Sequence, residues 1–184
     1  RDCLLSRGLG DVYKRQIIMK AGRKAIDEGS NINFIFDELI KNKNTISSKY
    51  VLMTYYNILS AYGEKLFLDK CDEAGVYGLI IPDLPYELTK KFKKEFYHHS
   101  VKIISLIAMT ASDARIMQIA KNSEGFIYTV TMNATTGNSG EFHPDLKRKI
   151  EYIKKVSKIP VVAGFGIKNP EHVKDIASLS LIHI

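Results

Sequence analysis

Five apolar runs at near-regular intervals constrain this chain more than any other feature: YVLMTYY (50–56), GLIIP (78–82), KIISLIAM (102–109), GFIYTVTM (125–132) and IPVVAGF (159–165). Each precedes an amphipathic stretch of about ten residues: EKLFLDKCDEA, ELTKKFKKEFYHH, DARIMQIAKNS, DLKRKIEYIKKVS and PEHVKDIAS. The runs are apolar nearly throughout rather than alternating, the pattern of strands buried on both faces of a parallel sheet. Strands that alternate with helices at βα spacing predict an α/β chain with right-handed crossovers. Helix punctuation agrees. Gly75 closes one helix, Ser112 caps another, Ser30 or Asn31 caps a short helix over SNINFIFDELIKNK, and Asn169-Pro170 reads as a cap followed by a first-turn proline.

An open dinucleotide-binding sheet should carry G-x-G-x-x-G after an early strand, and the sequence has none. The unusual residues gather instead at the C-terminal end of every run: Tyr55-Tyr56-Asn57, Pro82-Asp83, Met109-Thr110, Asn133 with Thr135-Thr136-Gly137, and Gly164-Phe165-Gly166. Polar and glycine residues on all the βα loops are what a (β/α)8 barrel uses to build its site. Five strands cannot close eight, so the expectation is a partial (β/α)8 TIM barrel with about five parallel strands retained.

The flanks look foreign to that pattern. Arg1, Arg7 and Arg15 are three of the six arginines, whereas twenty of the twenty-one lysines follow residue 16. RDCLLSRGLGDVYKRQ has no helical or alternating periodicity, and LSLIHI has the same look. Residues 1–16 and 179–184 are therefore read as non-native flanks around a partial-barrel domain at 17–178.

The formal net charge of +7 does not by itself point to nucleic acid. Lys90, Lys91, Lys93, Lys94, Lys147, Lys149, Lys154, Lys155 and Lys158 sit at helix-surface spacing among acidic residues, with no arginine-rich aromatic stripe. They are read as solvated helix faces. No run approaches the length of a membrane span, and Cys3 and Cys71 suit a reduced, cytoplasmic chain. His98 and His99 are adjacent, lack the i, i+4 spacing of a helical metal pair, and are read as surface residues, so no metal site is expected. Cys71 reads as a buried small apolar residue.

Two loops carry chemistry. GFGIKNPEH brings glycines near a helix start, and ATTGNSGEFHP offers hydroxyl and amide donors, so together they favour a phosphate-bearing ligand. Asp83 in IIPDLP reads either as a rim carboxylate near a substrate or partner, or as a turn acid accepting backbone N–H groups.

YVLMTYYNILSAYG, EAGVYGLIIPDLPYE, GFIYTVTMNATTG and PVVAGFGIKNPEHV, in that order and spacing, resemble the tryptophan synthase alpha subunit family. The resemblance implies a lyase of tryptophan biosynthesis that cleaves indole-3-glycerol phosphate to indole and glyceraldehyde 3-phosphate. By position it places Tyr128 and Ile107 in the indole-glycerol pocket, Met53 and Ile80 deeper on its wall, and Phe165 over the ligand. Thr136, Gly137 and Gly166 fall on the phosphate side. Asn57 and Pro85 fall on the rim facing the beta subunit, which carries the pyridoxal phosphate; no cofactor is expected in this chain. The family's catalytic Glu and Asp map upstream of IIMKAGRKAI, so no catalytic residue is assigned, and the chain is read as an internal fragment without activity of its own. Other phosphate-binding barrels, of the indole-glycerol phosphate synthase or phosphoribosylanthranilate isomerase type, and a non-catalytic barrel binding protein stay open as alternatives.

Overall fold

The computed structural model describes residues 9–131, 144–164 and 170–182 of the chain. The elements are α1 (Leu9–Asp27), α2 (Ile32–Asn42), β1 (Tyr50–Met53), α3 (Tyr56–Tyr62), α4 (Glu64–Ala74), β2 (Val76–Ile80), α5 (Tyr86–Glu95), β3 (Lys102–Ala108), α6 (Asp113–Ala120), β4 (Ile127–Val130), α7 (Leu146–Val156), β5 (Val161–Gly164), α8 (Pro170–Ala177) and β6 (Leu181–Ile182). All five expected strands form, and every neighbouring pair is parallel in the order β1-β2-β3-β4-β5-β6. A strictly sequential order puts every right-handed crossover on the same side of the sheet. One face is thus covered by helices and the other is not, which is barrel logic rather than the two-sided winding of a dinucleotide-binding sheet.

The covered face holds two apolar clusters. Phe36, Phe67, Leu68, Cys71, Leu79 and Phe92 join α2, α4 and α5 to the β1–β2 half. Ile107, Ile116, Ile127, Ile150, Ala163 and Ile176 join α6, α7 and α8 to the β3–β5 half. Local punctuation follows the sequence. The Asn31 side chain accepts from the Phe34 N–H at 3.0 Å, Ser112 Oγ accepts from the Arg115 N–H at 3.3 Å, and Gly75 ends α4 at φ 71°. That left-handed position tolerates glycine at little cost.

Three expectations are corrected. The helix α1 begins at Leu9 and runs unbroken across the Gln16–Ile17 junction, so residues 9–16 are helical despite their lack of an apolar stripe. Met19 and Ile26 on it stay 68% and 65% exposed, and i, i+4 pairs Arg23–Asp27 and Lys24–Glu28 line its last turns. From Met19 onward this helix buries no face; the stretch IIMKAGRKAIDE, ending at Gly29, is helical as its sequence suggests. Second, Leu181–Ile182 adds a sixth short strand beside β5 where no further strand was expected. Leu179 packs on the β3–β5 cluster and its carbonyl accepts from Lys154 Nζ at 3.0 Å, fixing the approach to that strand. Third, His99 is no surface residue. Its side chain is 3% exposed, with Nδ1 2.6 Å from Asp72 Oδ2 on α4.

Candidate functional site

Side-chain direction alternates along a strand, so parity decides which residues face the helices and which face the uncovered side. On β3 and just past its end, Ile103, Ile107 and Met109 belong to the helix-side clusters, whereas Ile104 and Leu106 pack with Ile80, Tyr128, Phe126 and Val162 in a third cluster. This third cluster is the inner face. Strand register builds it in staggered rows: Met53 pairs with Ile80 and Ile80 with Ile104, then Leu106 pairs with Tyr128 and Tyr128 with Val162.

Of the residues expected at the site, the structure brings Ile80 and Tyr128 together on this face, both buried, with Met53 beside Ile80 at the open margin and 47% exposed. Ile107 is not with them. It is fully buried in the layer against α6 and α7, and the position beside Tyr128 belongs to Leu106. In a run apolar on both faces, composition cannot set parity; only counting from a residue of known direction can. Leu106 is the residue that sequence reasoning misses. Thr136, Gly137, Phe165 and Gly166 lie outside the described residues.

Tyr128 explains the first glycine of GFG. A Cβ built on Gly164 would collide with the phenol oxygen and ring of Tyr128. Gly164 therefore serves the close approach of a side chain across the β4–β5 pair, a role different from the anion contact expected for it. Burial pushes the Tyr128 phenol pKa up from its ordinary value. Beside it, the hydroxyls of Thr129 and Thr131 donate to the carbonyls of Val162 and Gly164 at 3.0 and 2.9 Å, tying β4 to β5.

Asp83 resolves towards the second of its two readings, with a twist. Its Oδ1 accepts from the Tyr56 N–H at 2.9 Å, capping α3 from the neighbouring strand exit, since α3 has no side-chain cap of its own. The carboxylate thus joins two rim loops. Tyr56 turns its hydroxyl to Glu64, and this hydrogen bond, with burial and carboxylate charge, raises the phenol pKa. Tyr55 points outward, 59% exposed. Asn57 and Pro85 are both at the surface, on α3 and at the start of α5. Pro85 also borders a cleft of about 250 Å³ between the β2 exit and β3, lined by Pro82, Leu106, Ala108, Tyr86 and Arg115 among others, with no carboxylate among the described residues of its walls. The cleft opens where β2 and β3 stop pairing after Ile80 and Ile104.

Residues 14–182 match the family model described as tryptophan synthase alpha chain. The chain belongs to the tryptophan synthase alpha chain family. It is 96% identical over 164 residues to the Staphylococcus epidermidis tryptophan synthase alpha chain, covering 89% of this chain and 68% of that protein. The Staphylococcus aureus alpha chain is 59% identical over the same length and shares. Among solved structures, the alpha subunit from Campylobacter jejuni aligns with TM-score 0.79 at 30% identity, covering 91% of this chain and 67% of that one. A chain from a structure of the tryptophan synthase a2b2 complex of Pyrococcus furiosus aligns with TM-score 0.79 at 26% identity, covering 92% and 69%. The sheet is accordingly a curled part of a TIM barrel, and its uncovered face is the barrel interior. Among the described residues no helix is long and apolar enough to cross a membrane, and no group of three or more His, Cys, Asp or Glu is placed to hold a metal ion.

Proposed function

We propose that the inner face of β2–β5 receives the indole-glycerol part of indole-3-glycerol phosphate for the alpha chain's aldol cleavage to indole and glyceraldehyde 3-phosphate. The observation that supports this most directly is the row Leu106–Tyr128 beside Ile80, an apolar surface for a flat ring, with Gly164 leaving the space that the Tyr128 phenol enters. An apolar pocket with few polar groups is the usual form of such a site. Thr136, Gly137, Phe165 and Gly166 would complete it on the phosphate side. Asn57 and Pro85 would face a beta subunit that carries pyridoxal phosphate, consistent with the a2b2 complex of the Pyrococcus furiosus relative.

Retro-aldol cleavage needs an acid for the indole ring carbon and a base for the glycerol hydroxyl. Among the described residues the cleft beside the inner face carries no carboxylate, and Asp83 is committed to the Tyr56 N–H. The chain is therefore assigned binding without turnover. Calorimetric titration with indole-3-glycerol phosphate, alongside an assay for released indole, tests both halves. Saturable binding that weakens in Leu106→Ala, with no indole formed, is the expected result. Release of indole by the purified chain would overturn the assignment of turnover elsewhere, and absence of binding would overturn the site. The family match favours this reading over another phosphate-binding barrel enzyme or a non-catalytic barrel.

A further inference from the structure

Lys149 departs from its expected place on a solvated helix face. It lies on α7, only 6% exposed, and Nζ donates to the carbonyls of Met109 and, at 2.6 Å, of Ala111. Its neighbour Arg148 reaches Asp113, the first residue of α6, at 3.1 Å. All these contacts fall on the turn 109–112 between β3 and α6 or on the first residue of that helix. Withdrawing an ammonium from water is costly unless its N–H groups find acceptors, and a carbonyl left buried without a donor is costly in turn. The turn already closes on itself through the Ala111 N–H and the Ala108 carbonyl at 3.0 Å. The Met109 and Ala111 carbonyls face a charge supplied from outside, so the turn and α7 hold one another.

The two ends of this staple matter for the ligand. The turn leaves β3 just after Leu106 and Ala108, which border the inner face and the cleft. The helix α7 starts at Leu146, shortly after Thr136 and Gly137 in the chain. We propose that Lys149 is a positioning residue: it fixes the β3–α6 turn against the first turn of α7, setting the spacing between the ring-binding surface and the helix that terminates the phosphate-side loop. This inference rests on the ligand site proposed above. It makes Lys149 act through the turn, without touching substrate.

The test pairs local exchange with affinity. In Lys149→Met, which keeps the length of the side chain and removes its donors, amide hydrogen exchange should quicken at 111–113 while the amides of β4 (127–130) keep their protection. Affinity for indole-3-glycerol phosphate should fall about tenfold, the scale of one buried polar contact. Arg148→Ala, which removes an exposed ion pair, should change affinity less than about twofold. A purely structural lysine would instead quicken exchange through β4 and β5 together. If Lys149→Met does not fold, Lys149→Gln keeps an N–H donor on a shorter side chain and should show the same local exchange with a smaller loss of affinity. Unchanged exchange at 111–113 in the folded variant overturns the staple whether or not ligand binds. Unchanged affinity, with ligand bound by the wild-type chain, overturns the positioning role. A wild-type chain that binds no ligand counts against the proposed function, and the exchange measurement still decides the staple.

Discussion

The two faces of the sheet are built to different standards. Between the sheet and its helices lie two clusters, each of twelve buried residues among those described, none more than 8% exposed. On the inner face the buried cluster among the described residues is only Ile80, Ile104 and Tyr128, while Val51 and Met53 of β1 remain 36% and 47% exposed. Dense packing on one side supplies the stabilisation, since each fully buried aliphatic side chain contributes about 1.5–3 kcal/mol relative to exposure. The sparser side is where a ligand can find room. Stability and recognition are thus assigned to opposite faces of the same strands, and residues one position apart in sequence serve different ends.

The largest expected contrast is chemical. Cys71 sits in the helix-side layer, where burial pushes its thiol pKa up to about 12. In a Cys3→Ser variant, alkylation of the native chain at neutral pH should be at least about a thousandfold slower than in denaturant, because both thiolate fraction and access collapse. Rapid native labelling would show that the layer opens readily. On the inner face, Gly164→Ala should cost about 1–3 kcal/mol by forcing the new methyl against Tyr128. The same change in a Tyr128→Leu background should cost clearly less, so the double mutant loses less than the sum of the single losses in a cycle of urea melts. Additive losses would separate the two residues. The smallest effect belongs to the outer surface. Arg115 clasps Glu87 and holds its carboxyl at about 2, below the ordinary 4.5. The unfolded chain takes up that proton first, so this contribution is complete above about pH 4.5 and is lost as pH falls towards 2. Glu87→Gln should slightly flatten the acid limb of the melting temperature and leave it unchanged near neutrality, since both side chains are solvent-exposed.

Much of this can be read from sequence because strands buried in a parallel sheet are written as apolar runs and their helices end at glycine and asparagine signals. YVLMTYY, GLIIP and IPVVAGF become strands, and Gly75, Asn31 and Ser112 take the capping positions their chemistry suits. What stays hidden is direction. KIISLIAM is apolar on both faces, so nothing local distinguishes Leu106, which packs with Tyr128, from Ile107, which packs against the helices. Long-range partners are equally illegible: Lys149 looks like its solvated neighbours until the β3–α6 turn is folded beneath it. Likewise His99 looks superficial until α4 brings Asp72 to its ring, and Gly164 reads as an anion glycine until Tyr128 crosses the strand pair. The first turns of α1, over 9–16, and β6 escape for a simpler reason, since one has no apolar stripe and the other is two residues long.

The division between faces is tested most directly by Leu106→Ala and Ile107→Ala, measured side by side for urea stability and for binding of indole-3-glycerol phosphate. Ile107→Ala should lose about 2–5 kcal/mol of stability, as a fully buried aliphatic side chain does, and the folded variant should bind as well as the wild type. Leu106→Ala, only half-buried beside Tyr128, should lose less stability and weaken binding about fivefold or more. If Ile107→Ala weakens binding while Leu106→Ala leaves it untouched, the assignment of the inner face is wrong.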